Sequence, residues 1–311
     1  EYMIELRNTV KKFENNDILR GINLQIPKGS AFGLLGSNGA GKSTILRLLS
    51  GIYRPDSGEV YIDGEQVYDN PKIKERVFFI NDETIQFTSF TLKELKNYYK
   101  GFYPNFSEEL FEKLRETVNL PYTKKLTTFS KGMKRQAIVI TALASRTEYL
   151  LLDEAFDGLD PTMRVIVKRM LVDAIIDREL TAIISSHNLK EISEFCDRAA
   201  LLHDGNIIFS SELDNIKGNI HKIQAVFKPA DKDMPQTYTS EEFMGMGLEV
   251  MHFEKNQSVY QMVVKGDINE ITEKFNKKNP IVLDIIPLSL EEIFIYEMEV
   301  KGYDFNAAEA K

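Results

Sequence analysis

Short apolar runs predict most of the strands in the N-terminal part of the chain. Apolar and polar residues alternate over residues 22–26, which is the period of a strand with one buried face. With residues 4–13 and 59–62, this segment predicts a small antiparallel sheet. Other apolar runs are continuous, as expected for parallel strands covered on both faces. These runs are residues 31–35, 77–80, 149–152, 181–184 and 199–202.

Helical spacing replaces the strand pattern between residues 84 and 145. Leu92, Leu95 and Tyr99 follow one another at helical intervals, and Ser107 precedes a second such run in the position of an N-cap. This region therefore predicts a lobe of helices inserted in the α/β core.

After Gly218 the pattern is that of a small α+β domain. Three strand-like runs and one amphipathic helical stretch follow, and a polar segment with two prolines predicts a loop. The strands are predicted at residues 220–227, 248–253 and 258–264, the helix at 268–275 and the loop at 228–242.

Composition narrows the class of protein. A chain of 311 residues has room for two domains, predicted at residues 1–218 and 219–311. The net charge of −8 argues against a nucleic-acid partner. The longest apolar helical candidate, residues 137–144, is too short to cross a bilayer, so no direct membrane span is predicted. The four histidines show no metal-ligand spacing, which argues against a zinc site.

A glycine-rich segment, residues 36–44, lies between the apolar run at residues 31–35 and a helix-like run. Glycines let the backbone bend so that successive N–H groups point at one phosphate chain, and a helix N-terminus adds its positive dipole end. In such a P-loop, Lys42 reaches the β- and γ-phosphates and the Ser43 hydroxyl is placed to ligate Mg²⁺. The predicted phosphate-binding residues are Gly36, Ser37, Asn38, Gly39, Ala40, Gly41, Lys42, Ser43 and Thr44.

Two carboxylates, Asp153 and Glu154, end the apolar run at residues 149–152. At such a place a nucleotide site needs an Asp directed at Mg²⁺ and a group that polarises water. Two exposed acids at the end of a core strand are the alternative, and the P-loop pattern upstream favours the functional interpretation.

Three further signals flank these carboxylates. Ser130 and Gly132 precede a helical run and offer a hydroxyl, a glycine backbone and a helix N-terminus to a phosphate. Residues 158–161 read Gly-Leu-Asp-Pro, and His187 follows the apolar run at residues 181–184. The signal at Ser130 is weak by itself, and a single histidine is more often structural than catalytic.

Together these motifs resemble the nucleotide-binding subunit of ATP-binding cassette (ABC) transporters over residues 2–215. The resemblance implies an α/β fold with a P-loop NTPase core, an antiparallel β subdomain, the inserted helical lobe and a small C-terminal α+β domain. By position, residues 36–44 would be Walker A, 150–154 Walker B, 129–133 the signature loop and 159–160 the D-loop.

The resemblance also implies roles for single residues, with ATP and Mg²⁺ as cofactors. Glu154 would polarise the attacking water, His187 would contact the γ-phosphate, and Asp153 would support Mg²⁺ through water. Phe13 stands where the family has an aromatic residue stacked on adenine, although a core aromatic at a strand end explains it equally well.

In this family the signature loop covers the P-loop of a second subunit, so Ser130 and Gly132 would serve a partner's ATP. Lys131, Met133 and Asp160 are assigned to the nucleotide site on the same grounds. The chain would then work as a dimer, with a second copy or a paralogue, together with membrane permease subunits. It would be cytoplasmic and peripheral on the inner face of the cell membrane.

The sequence departs from the family pattern at four positions. Asp82 replaces the usual Gln; because a carboxylate can ligate Mg²⁺ or hold a water that does, Asp82 is predicted at both the nucleotide and the metal. Phe129, Met133 and Ala155 replace the more common Leu, Gln and Pro. These changes resemble variation in bacterial exporter-type subunits with a separate permease, as does Leu-Glu-Glu-Ile-Phe at residues 290–294.

The leading interpretation is an ATPase subunit that powers an ABC exporter. A soluble ABC-type ATPase acting on the ribosome or on nucleic acid is the main alternative; the single cassette, the missing coiled-coil insertion and the acidic balance disfavour it. A regulatory module that binds ATP and scarcely hydrolyses it is the third hypothesis. Asp82 is its only hint, and the intact Lys42, Glu154 and His187 argue against it.

Overall fold

The computed structural model describes residues 2–81, 89–154, 156–227, 237–300 and 302. The chain divides into two compact units, Glu1–Ser210 and Ser211–Lys311. The boundary predicted from the sequence, after residue 218, falls near the end of the helix Leu213–Asn219, which belongs to the second unit. Among the described residues, no helix has the length and apolar character needed to cross a membrane.

The first unit alternates strands and helices. In chain order they are β1 (Tyr2–Phe13), β2 (Asn16–Pro27), β3 (Ala31–Leu35), α1 (Lys42–Leu49), β4 (Ser57–Ile62), β5 (Glu65–Gln66), α2 (Pro71–Lys74), β6 (Val77–Ile80), α3 (Leu92–Lys100), α4 (Glu108–Thr117), α5 (Lys131–Ala144), β7 (Tyr149–Asp153), α6 (Pro161–Arg178), β8 (Thr181–Ser186), α7 (Leu189–Phe195), β9 (Arg198–His203) and β10 (Asn206–Glu212).

A six-stranded sheet of order β10-β9-β3-β8-β7-β6 forms the centre of this unit. The strands from β9 to β6 pair in parallel, and every residue of β3, β7 and β8 is buried, which explains their continuous apolar runs. Carboxyl ends of parallel strands meet at one edge of a sheet, and β3, β8 and β7 are neighbours. The segments that follow them, which carry the P-loop, Glu154 and His187, therefore lie side by side.

The antiparallel sheet has the order β2-β1-β4-β5. Its apolar face is the one that the alternation predicts, since Ile22, Leu24 and Ile26 are buried while the residues between them are exposed. These side chains share one hydrophobic core with α1.

The helical lobe lies between β6 and β7. Its three described α-helices each begin at a capping hydroxyl: Thr91 caps α3, Ser107 caps α4 and Ser130 caps α5. The Ser107 hydroxyl accepts a hydrogen bond from the Leu110 amide at 3.1 Å, as its position in the sequence predicts. The predicted fold class, including this inserted lobe, is confirmed.

The second unit has an antiparallel sheet of order β12-β13-β11-β14 with helices packed on it. An aromatic core containing Phe227, Tyr238, Phe243, Tyr260 and Phe275 joins the sheet and helices. In chain order the elements are α8 (Leu213–Asn219), β11 (Ile220–Phe227), α9 (Ser240–Gly245), β12 (Glu249–Asn256), β13 (Val259–Lys265), α10 (Ile268–Asn276), β14 (Pro280–Ile286) and α11 (Leu290–Val300).

The loop predicted at residues 228–242 is wrong at its end, because α9 begins there. The Thr239 amide donates to Glu242 Oε2 at 3.0 Å, and Phe243 is fully buried, so a capped start and one core side chain hold this short helix. Residues 228–236 of the predicted loop lie outside the described residues.

Replacing Phe243 by Ala should destabilise the second unit by about 3–5 kcal/mol, because the ring is lost from the centre of its core. Urea unfolding of the full chain, followed by tyrosine fluorescence since the chain has no Trp, measures this. The neighbouring Met244 is 49% exposed, and Met244→Ala should change stability by less than about 0.5 kcal/mol. Equal effects of the two substitutions would contradict the described core.

Candidate functional site

The P-loop needs glycine at two points, for reasons of conformation and space. Gly36 has φ 152°, and a Cβ atom there would lie 2.4 Å from the carbonyl oxygen of Leu202. Gly41 has φ 110°, and its Cβ would lie 2.7 Å from Leu19 Cδ2. The loop that joins β3 to α1 can therefore pack closely against Leu202 of β9 and Leu19 of β2 only because both side chains are absent.

Lys42, the first residue of α1, is buried under this loop. Its Nζ donates to the carbonyl oxygens of Gly36 at 2.6 Å and Ser37 at 3.1 Å, and lies 3.9 Å from Glu154 Oε1. Burial lowers the pKa of Lys42, and the carboxylates of Glu154 and Asp153 counteract this only in part. A phosphate chain in the loop would supply the missing negative charge.

Asp153 joins three elements at the edge of the sheet. Its Oδ1 accepts hydrogen bonds from the Ser43 hydroxyl at 3.0 Å and from the Ser185 hydroxyl at 2.5 Å. Asp153 is buried, so these two donors to Oδ1 are valuable where water has little access.

The predicted metal residues Ser43 and Asp153 fit Mg²⁺ by their chemistry. A hydroxyl and a carboxylate are hard oxygen ligands, and Mg²⁺ bound by one or two protein groups normally keeps waters and phosphate oxygens as its other ligands. No cluster of three or more His, Cys, Asp or Glu residues suited to a metal occurs in the described part of the chain. The predicted ligand Asp82 lies outside the described residues, as does Ala155.

Glu154 stands in a constrained backbone position directly after β7. Its φ is 46°, and its amide donates to Ser185 Oγ at 3.1 Å, which holds the turn. Glu154 Oε2 lies 3.1 Å from His187 Nδ1. Burial raises the pKa of Glu154, while His187 and Lys42 lower it. A carboxylate with a raised pKa is a better proton acceptor, which suits a group that activates water.

A cavity of about 290 Å³ lies beside Lys42, Ser43 and Glu154; Asp153 and His187 are not among its described lining residues. Phe13 lines one side, is 39% exposed and contacts Tyr53 edge to face at 5.1 Å between ring centroids. The other lining residues are Ile18, Ser37, Asn38, Gly39, Gly41, Lys42, Ser43, Thr44 and Glu154.

Ser130, Lys131, Gly132, Met133 and Asp160 are not among the described residues that line this cavity. Lys131 and Gly132 contact Gly158, two residues before Asp160, elsewhere in the first unit. Ser130 Oγ caps α5 by accepting from the Met133 amide at 3.1 Å, and Asp160 Oδ1 caps α6 by accepting from the Met163 amide at 3.0 Å. A Cβ on Gly132 would lie 3.1 Å from the carbonyl oxygen of Gly158, so the two segments lie in contact.

Sequence reasoning missed three residues at the site. Ser185 bonds both Asp153 and the Glu154 amide, Ile18 lines the cavity, and Tyr53 supports Phe13. A signal existed for Ser185, since it is a hydroxyl at the end of a buried strand. Ile18 and Tyr53 carry no motif, and only the folded chain brings them to the P-loop.

Glu154→Gln should stabilise the protein without nucleotide at pH 8. Burial raises the folded-state pKa of Glu154 above 4.5, so the folded protein favours the protonated acid. The stability that Glu154 contributes is therefore fully present below pH 4.5 and is lost as the pH rises through the folded-state pKa. The melting temperature of the variant should therefore exceed that of the parent at pH 8, and the difference should shrink towards acid pH. Glu254→Gln, at an exposed carboxylate, is the control; a gain that does not depend on pH would contradict this account.

Comparisons with known proteins agree with the fold. Residues 19–157 match the family model described as ABC transporter. The ABC transporter ATP-binding protein YtrB of Bacillus subtilis (strain 168) is 31% identical over 293 residues, which are 94% of this chain and 97% of YtrB. The bacitracin transport ATP-binding protein BcrA of Bacillus licheniformis is 31% identical over 218 residues, covering 69% of this chain and 72% of BcrA.

Solved structures show the same fold. The dimeric post-hydrolysis state of an ATP-binding cassette bound to ADP and Pi superimposes with a TM-score of 0.61 at 22% identity, over 68% of this chain and 99% of that chain. From the extent of the match to YtrB, this chain belongs to the family of ABC transporter ATP-binding proteins, which are ATPases.

Proposed function

We propose that this subunit binds Mg²⁺-ATP in the cavity beside the P-loop and hydrolyses it there, and that ATP-driven dimerisation energises transport. The observation that carries the proposal is the contact of Glu154 with His187, at 3.1 Å, in the same site as the buried Lys42. A base, a histidine and a cation are thereby directed at the end of one phosphate-binding loop.

Each part of ATP has a matching group in the proposed complex. Adenine stacks on Phe13, whose partly exposed ring lines the cavity. The phosphates lie on the amides of residues 36–44, with Lys42 beside the β- and γ-phosphates. Mg²⁺, when bound at Ser43 and through water at Asp153, offsets phosphate charge; Asp82 stays a predicted ligand.

Hydrolysis requires a base and a group that holds the reacting phosphate. Glu154 polarises the attacking water, because it combines a raised pKa with a fixed backbone position. His187, whose side chain is 54% exposed, reaches towards the γ-phosphate from the next strand end.

We further propose that the complete site needs a second subunit. Ser130 and Lys131 are exposed, and neither lines the cavity of its own chain among the described residues. A cassette of the same fold is dimeric with ADP and Pi bound, which is compatible with a dimer of this chain. In the proposed dimer, residues 130–133 and 160 face a partner's nucleotide, as the family resemblance implies. The partner is either a second copy or a paralogue.

An aromatic surface on the helical lobe is the proposed contact with membrane permease subunits. Tyr98, Tyr99, Phe102 and Tyr103 line a cavity of about 350 Å³ with Lys74 and Glu75. Phe102 is 59% exposed and Tyr98 is 37% exposed, and exposed aromatic side chains in one patch are typical of protein interfaces. Binding there would hold the subunit on the inner face of the membrane.

Export is the proposed direction of transport. The Leu-Glu-Glu-Ile-Phe segment at residues 290–294, which resembles a segment of exporter-type subunits, supports it. The relatives named above are transporter subunits, so they do not favour the alternative of a soluble ATPase acting on the ribosome or on nucleic acid.

Glu154→Gln should lower the ATP hydrolysis rate by about 10²- to 10⁴-fold, because the amide cannot accept the proton of water. ATP binding should persist, and ATP should convert the variant to a dimer on gel filtration. Lys42→Ala should lose ATP affinity and stay monomeric. A Glu154→Gln variant with parental turnover, or one that binds ATP and stays monomeric, would contradict the proposal.

Phe102→Ala should weaken the association with membranes by about tenfold, because an exposed aromatic anchor is lost from the interface. Sedimentation of the tagged full chain with membranes of its own host measures the bound fraction. Ile52→Ala, at an exposed residue outside the patch, should leave that fraction unchanged. Equal membrane association of the parent and the Phe102→Ala variant would remove this surface from the interface.

A further inference from the structure

A buried carboxylate on α7, Glu191, joins two elements that border the site. Its Oε1 accepts a hydrogen bond from Arg164 Nη1 of α6 at 2.7 Å, and its Oε2 accepts one from the Ser186 hydroxyl at 3.1 Å. Glu191 is 6% exposed and Ser186 is 1% exposed. Both oxygens of the carboxylate are therefore used, one by each neighbour.

Ser186 immediately precedes His187 and fixes the backbone on both sides of it. Its hydroxyl donates to Glu191 and accepts from the Asn188 amide at 3.0 Å. Asn188 is the N-cap of α7, and its Oδ1 accepts a hydrogen bond from the amide of Lys190 at 3.0 Å. The imidazole is largely exposed, so its direction depends on the backbone that carries it more than on packing around the ring.

Arg164 connects this arrangement to the start of α6. It lies in the first turn of that helix, where its amide donates to the carbonyl oxygen of Asp160 at 2.9 Å. The Arg164 side chain is 33% exposed, whereas the Glu191 side chain is 8% exposed. Such a half-buried ion pair adds little net stability over an apolar pair. Unlike an apolar pair, however, it makes directed hydrogen bonds that fix the position of its partners.

We infer that Glu191 is a positioning residue for His187. Held by Arg164, it fixes Ser186 and thereby the peptide of His187, so that the imidazole meets Glu154 and a bound γ-phosphate at the distance hydrolysis needs. This inference rests on the proposed role of His187 in hydrolysis.

A second ion pair between the same two helices provides a matched control. Lys168 of α6 lies 3.0 Å from Glu194 of α7, and the Glu194 side chain is 51% exposed. This pair joins α6 to α7 as Arg164 and Glu191 do, yet it lies away from Ser186. A role in helix packing alone would make the two pairs equivalent.

The test is steady-state ATP hydrolysis by the full chain, with nucleotide affinity measured by a fluorescent ATP analogue and folding by the melting temperature. Glu191→Ala should lower kcat by about 10- to 100-fold, because small displacements of a reacting group have effects of this size. KM and nucleotide affinity should change by less than about twofold. Glu191→Gln should give an intermediate kcat, because its amide keeps one acceptor oxygen. Glu194→Gln should keep the parental kcat.

A double-mutant cycle with His187→Ala separates this inference from the function on which it rests. If Glu191 acts through His187, then Glu191→Ala should lower kcat no further in a His187→Ala chain. If His187→Ala is strongly impaired and Glu191→Ala keeps the parental kcat, the inference is wrong and the proposed function stands. If His187→Ala itself keeps the parental kcat, the proposed role of His187 fails, and the inference fails with it.

Two more outcomes decide the case. If Glu191→Ala lowers kcat, nucleotide affinity and the melting temperature together, the role of Glu191 is structural and the inference is wrong. If Glu191→Ala does not fold, Ser186→Ala breaks the same connection without leaving Arg164 unpaired. A lowered kcat with unchanged nucleotide affinity in that variant would support the inference, and a parental kcat would refute it.

Discussion

The hydrogen bonds to Asp153 are the interaction on which the site depends. One carboxylate oxygen at the end of β7 holds the Ser43 hydroxyl of α1 and the Ser185 hydroxyl of β8. Ser185 also holds the Glu154 amide, so the same group fixes the backbone of the proposed base. Parallel pairing of β3, β8 and β7 brings the P-loop, His187 and Glu154 to one edge of the sheet. The junction at Asp153 then ties α1 to the ends of β7 and β8.

Burial of charge then gives these residues their chemical character. Lys42 and Glu154 lie 3.9 Å apart, and desolvation shifts the pKa of each towards its neutral form. Neither group fully compensates the other, because burial remains the largest cause of both shifts. A triphosphate with its metal ion would bring charges of both signs into this space. The charged forms of Lys42 and Glu154 should therefore be more stable with nucleotide bound than without it.

Much of the fold could be predicted because parallel strands that are buried on both faces are continuous runs of apolar residues in the sequence. The P-loop and the Asp153–Glu154 pair could be predicted because each needs several residue types at fixed spacing. β14 could not, since Ile281, Val282 and Ile285 are exposed and show neither alternation nor a continuous buried run. The ion pair of Arg164 and Glu191 could not either, because it joins two helices through contacts that no local pattern encodes.

Ser130 and Asp160, which are proposed to face a partner's nucleotide, also cap helices in their own chain. The chemistry of each side chain decides whether it can cap a helix and bind a phosphate at the same time. The Ser130 hydroxyl accepts a hydrogen bond as the cap of α5, which leaves its hydrogen available to donate to a phosphate.

The Asp160 carboxylate also accepts a hydrogen bond as a cap, but when ionised it has no hydrogen to donate. Facing a phosphate, it would add repulsion rather than a bond. We therefore expect Asp160 to act on a nucleotide through water or through the helix it begins. That helix carries Arg164 one turn later, and the network of Glu191 leads from there to His187.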